Sequence, residues 1–272
     1  MKLVKWIITG ASFASAMLVN ASSISPTDFA TQTISDNYIG AGASGDVYGS
    51  TRQYDVDKMT VKREGTTMTV DIFTSFWNDV NSTIKFGDLF MATGNGIDNP
   101  WNPYGSGSYQ NDRSSDSYRN NSGTDWNYVY DLEGNRSRTS GIGRLKSGFN
   151  RSDLYTSSDE MGSNGHRYDQ AVRIKDRSHQ TTHDTSNWSI GSQEYFIAGT
   201  SYRNLRLTFD VAGTALASAH QIAFRWTMTC ANDIIEGLVS VSPGDTTTPI
   251  PAPQTIALML LGLAGLSLRK RA

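Results

Sequence analysis

Cysteine is almost missing from this chain: Cys230 is the single one in 272 residues, so no disulfide can form within it and stability must come from burial. Lysine is scarce and the formal net charge is -2, which removes the global electrostatic case for binding nucleic acid. Between the termini the apolar residues follow no helical period, and no G-x-S-x-G nucleophile elbow occurs. Proline is clustered, with four of the seven standing between Ser242 and Pro253. Gly, Ser, Thr, Asn and Asp abound, a composition that suits short strands joined by polar turns better than a helical bundle.

Alternation supplies the strands. Tyr54, Val56, Met59 and Val61 precede the turn Arg63-Glu64-Gly65, and Met68, Val70, Ile72, Thr74 and Phe76 then fall on one face, which predicts a hairpin. The clearest strand runs from Gln221 to Cys230, where Ile222, Phe224, Trp226, Met228 and Cys230 alternate with Ala223, Arg225, Thr227 and Thr229. Further candidates cover 83–91, 128–132, 167–175, 194–197 and 205–211. Repeated short strands between turn signals predict one all-β domain, a β-sandwich or jelly roll, over residues 22–241.

The two ends differ from this domain. Lys2 and Lys5, the apolar stretch from Trp6 to Val19 and the small residues before Ser22 predict a secretory signal peptide over 1–21. Residues 242–253 read as an extended Pro/Thr-rich linker, and 254–272 as an apolar helix closed by Arg269, Lys270 and Arg271. An apolar run of about 14 residues reaches only about 21 Å at 1.5 Å per residue, short of a bilayer core of about 30 Å, so it spans only with help from its flanks.

Pro251-Ala252-Pro253, the apolar run and the basic trio, in that order, resemble the PEP-CTERM sorting signal of Gram-negative bacteria, with Ala252 where that family carries Glu. Asp36-Asn37-Tyr38-Ile39-Gly40, Gly87-Asp88-Leu89-Phe90 and the stretch from Trp226 to Gly237 resemble phrases of exosortase-sorted surface proteins. The resemblance implies export to the cell envelope, cell surface or extracellular matrix, and an exosortase-type processing enzyme as partner. It also implies contact with the membrane through the tail and contact with extracellular polysaccharide. It implies no chemistry.

The residues offer few catalytic patterns. Gly40-Ala41-Gly42-Ala43-Ser44-Gly45 satisfies G-x-G-x-x-G literally, but no strand precedes it and no helix follows it, so a permissive loop is the reading. His179 and His183 have a spacing that would share a metal on a helix, yet their segment reads as a loop. Cys230 continues an apolar face and reads as a core residue. Asp36, Asp46, Asp55 and Asp57 offer hard oxygen ligands suited to Ca2+, with Asp233 and Glu236 able to complete a site if the fold brings them near; solvated turn carboxylates are the alternative. The long polar stretch 92–126 carries Trp101, Tyr104 and Trp126, whose flat faces beside Asn and Asp suit sugar stacking, or else simply anchor a loop. The expectation is a surface or matrix protein without catalysis. A carbohydrate-binding module using 92–126 is the alternative, and a polysaccharide-acting enzyme the second.

Overall fold

The alternating runs on either side of Gly65 form the longest hairpin, β2 (Val56–Glu64) with β3 (Thr67–Thr74), paired antiparallel. Gly65 turns it with φ of 58°, a left-handed conformation that favours glycine. The computed structural model describes residues 31–36, 46–94, 99–102, 124–162 and 167–240, so the segments 1–21, 242–253 and 254–272 lie outside the described residues.

The remaining strands are β1 (Gln32–Ser35), β4 (Leu89–Thr93), β5 (Tyr128–Asp131), β6 (Ser140–Ser147), β7 (Leu154–Thr156) and β8 (Ala171–Ile174). They are followed by β9 (Thr181–Ile190), β10 (Tyr195–Ile197), β11 (Thr200–Asp210), β12 (Gln221–Thr227) and β13 (Ile234–Ser240). Eleven of them make one antiparallel sheet in the order β1-β2-β3-β11-β9-β6-β5-β4-β12-β13, with β10 on β11. The fold is all-β, as the alternation predicts. The two facing layers of a sandwich are here one sheet curled until its ends nearly meet, a barrel-like shape.

Inward residues of every long strand fill this curl. Met68, Val70 and Ile72 of β3 meet Leu205, Leu207 and Phe209 of β11 and Ile222, Phe224 and Trp226 of β12 in one continuous core. Phe86 packs edge-on against both Phe76 and Trp188 near its centre. At about 25 cal/mol per Å2, burial of this apolar area is the dominant stabilising term for a chain with a single thiol.

A second, smaller core lies on the other face. Phe90 and Ala92 of β4, Val129 of β5 and Ala223 of β12 point outward and are covered by Leu154, Ala171 and Ile174 of the separate β7–β8 hairpin, with Trp126. Asp88 fastens this hairpin to the barrel. Its carboxylate accepts from the backbone N–H groups of Leu132 (3.0 Å) and Ile174 (2.8 Å) and from Arg136. Asp131 extends the network to Lys146, 2.8 Å away.

Candidate cation site at the barrel seam

The curl brings β1 beside β13, the two ends of the strand order, but no ladder of backbone hydrogen bonds joins them among the described residues. They pack closely: a Cβ at Gly237 would come within 2.6 Å of Ile34 Cγ2. At one end of this seam three carboxylates meet. Asp36 follows β1, Asp46 stands before the short helical turn Thr51–Tyr54 that leads into β2, and Asp233 opens β13 after a tight turn in which Ala231 takes φ of 51°. Each offers an oxygen within 4.8 Å of the others.

Their surroundings are polar but short of donors. Asp233 accepts from the backbone N–H of Val56 at 2.6 Å and of Ile234 at 2.8 Å, which ties the β12–β13 turn to the start of β2. Neither carboxylate oxygen of Asp36 touches solvent or receives a hydrogen bond from an N–H or hydroxyl group, although the residue as a whole is partly exposed; its one polar neighbour of this kind is the Asp233 carboxyl, which can bond to it only when one of the two carries a proton. One oxygen of Asp46 and the side-chain oxygen of Asn232 are in the same condition. The nearest cation, Arg167, is buried and donates to the backbone carbonyls of Asp46 and Asn232.

Crowding and burial act together on protonation. Burial, then the charges of Asp233 and Asp46 and a proton shared with the Asp233 carboxyl, push Asp36 well above the usual carboxylate range. Asp233 is raised by burial and by Asp46, against the Val56 N–H and Arg167, and Asp46 is raised by burial and Asp55 against Arg167. Such a group of oxygens must either hold protons or hold a cation. Two oxygens on one Ca2+, each about 2.3–2.6 Å away, are separated by at most about 5 Å, and this cluster falls within that limit.

Of the residues singled out in the sequence, Asp36 and Asp46 join the cluster and Asp233 completes it. Asp55 lies close enough to affect their charge but accepts a hydrogen bond from the Tyr202 hydroxyl. Asp57 does not join. Its carboxylate takes the Tyr195 hydroxyl at 2.7 Å and pairs with Lys58 at 3.3 Å. Glu236, in phase with the outer face of β13, is held by Arg225 at 2.6 Å and by the Trp101 indole N–H at 2.9 Å.

Of the aromatics in the stretch 92–126, two lie among the described residues, Trp101 and Trp126. Trp126 is only 5 % exposed and packs on Phe90 in the outer core, so its ring faces are already covered. Trp101 packs against the same cluster, while Tyr104 lies outside the described residues. His179 and His183 part company, one on Asp153 at 3.0 Å and the other on Ser147 at 2.7 Å, because Thr181–Ile190 is a strand rather than a helix. Cys230 is fully buried, and burial pushes its thiol up to about 12, so it stays protonated in the core. The Gly40–Gly45 loop and the sorting residues Pro251, Ala252, Pro253, Arg269, Lys270 and Arg271 also lie outside the described residues.

Neither family models, nor curated proteins, nor solved structures give a match to this chain.

Proposed function

We propose that this chain is an exported, exosortase-sorted envelope protein whose β domain is a non-catalytic module braced by a divalent cation at its seam, with Ca2+ as the chemical fit. The observation that carries the brace is the Asp36–Asp46–Asp233 cluster, in which shielded oxygens lack hydrogen-bond donors. Three carboxylates offer up to six oxygens, and Ca2+ takes about 6–8. Its charge would replace mutual repulsion by a link between β1, the entry to β2 and the β12–β13 turn. An extracellular setting supplies calcium at the concentrations that modest extracellular sites require. The other strongly buried acids support a structural role for charge in this domain. Asp88 and Asp131 are tied to Arg136, and Glu236 to Arg225, rather than facing one another across a cleft.

The test is calorimetric titration of Ca2+ into the chelator-stripped exported chain. One site is expected, lost in the Asp36→Asn/Asp233→Asn double variant, which keeps an oxygen acceptor for the Val56 N–H. Absence of binding in the parent protein sinks the proposal.

A further inference from the structure

On the outer face of the barrel, away from the seam cluster, β3 and β11 pair so that Phe73 stands opposite Asn204, with Arg206 two residues further along β11. These side chains point out because their neighbours Ile72 and Leu205 point into the core. The segment from Ser189 to Tyr195 closes over them and leaves a cleft of about 730 Å3. That is within the range of about 300–1,000 Å3 found for small-ligand sites. Gly191 permits the close approach: its N–H donates to the Asn204 carbonyl at 2.8 Å, and a Cβ there would run into the Asn204 amide.

Two features of the walls define a ligand. Phe73 and Tyr195 meet edge to face at 5.8 Å and both line the cleft; the Lys58 ammonium sits over the two rings at 5.0 and 5.2 Å, and Tyr195 is fixed by stacking on Tyr202 at 5.4 Å and by its hydroxyl on Asp57. The rest of the lining is polar: Ser189, Gln193, Asn204 and Arg206 among it. The charges there are already compensated. Arg206 grips Asp71 through Nε and Nη2 at 2.7 and 2.8 Å, and Glu194 pairs with Arg203 at 3.1 Å. Lys58 likewise pairs with Asp57 at 3.3 Å, so an ionic ligand would meet charges that already have partners and would compete with them, and a mostly apolar one would strand the amides and hydroxyls without partners.

We infer that this cleft binds a neutral oligosaccharide. The C–H face of a sugar ring would lie against the cleft-lining side of Phe73, with Tyr195 bounding it, and its hydroxyls would meet Gln193, Asn204, Ser189 and Arg206. This site is independent of the seam cluster and of calcium.

Saturation-transfer NMR and calorimetry on the full exported chain test it, with short neutral gluco-, manno- and galacto-oligosaccharides and a polyuronate as probes, at low and high salt. At least one neutral probe should bind at both salt levels. Ser189→Trp, which fills the cleft from an exposed position, and Gln193→Ala should each weaken that binding about tenfold or more. Unchanged melting by circular dichroism shows that both variants are folded, and Gln193→Ala, also at an exposed position, serves if the tryptophan disturbs the strand. The inference is overturned if no neutral probe binds, if both substitutions leave binding unchanged, or if only the polyuronate binds and salt abolishes it.

Discussion

Asp88 is fully buried, and burial pushes its carboxyl up to about 6 against the opposing pull of Arg136. Removing it would leave the Leu132 and Ile174 N–H groups without an acceptor and weaken the hold on a largely buried guanidinium. Asp88→Ala should therefore cost about 3–5 kcal/mol in urea unfolding, the scale of a broken buried ion pair. A cost below 1 kcal/mol would mean that solvent reaches this node. Gly143 makes a different demand. The Tyr130 ring lies where its side chain would be, and Tyr130 also stacks on Phe209 at 4.9 Å. Gly143→Ala is expected to destabilise by about 1–3 kcal/mol through overpacking, measured by the same unfolding, and a neutral result would show that Tyr130 can turn aside.

Elements whose sequence alternates apolar with polar residues were the legible ones. β2, β3 and β12 alternate because Met59, Val70 and Phe224 go in while Lys62, Asp71 and Arg225 do not. β9 escaped detection because Trp188 is its only buried residue, and β13 because Ile234, Ile235, Leu238 and Val239 put apolar residues on both faces, without the polar alternation that β12 keeps through Arg225 and Thr227 although both its faces are covered too. In β6 the inward positions are Gly143 and Leu145, and the glycine leaves a single apolar residue as signal. Asp36 and Asp46 could be singled out as oxygen ligands from their chemistry. Asp233 reaches them only because β13 curls round to β1, a relation that local patterning does not encode. The neutral-sugar cleft was equally hidden, since Phe73 and Asn204 meet through long-range register. The outer core gives a test at this scale: Trp126→Ala should cost about 3–5 kcal/mol because it empties the space between Phe90 and the β7–β8 hairpin. If Trp126 instead served only to hold a ligand, its removal would leave urea unfolding unchanged.

For the molecule as a whole, the two ends and the seam make separate predictions. Replacing Arg269, Lys270 and Arg271 by Ser should release or misprocess the chain on cell fractionation, because a basic cluster resists translocation. Unchanged retention and processing would count against the sorting reading. The seam account makes a pH-dependent prediction whose sign is fixed. Asp36, Asp46 and Asp233 have folded pKa values raised above the unfolded reference of 3.8, so without a cation their contribution is fully present below that value. It is lost as pH rises through the raised values, where the folded state must shed protons that it binds more tightly than the unfolded chain. Calcium, binding the ionised cluster of the native state alone, should reverse this trend. The most direct measurement is thermal unfolding of the exported chain from acid to neutral pH, once in chelator and once in millimolar Ca2+. The account predicts that in chelator the Tm falls with rising pH relative to Asp36→Asn/Asp233→Asn, in which the opposite contributions of Asp131 and Asp153 are unchanged, and that calcium raises the Tm of the parent most at neutral pH and not that of the variant; superimposable curves with and without calcium at every pH would contradict it.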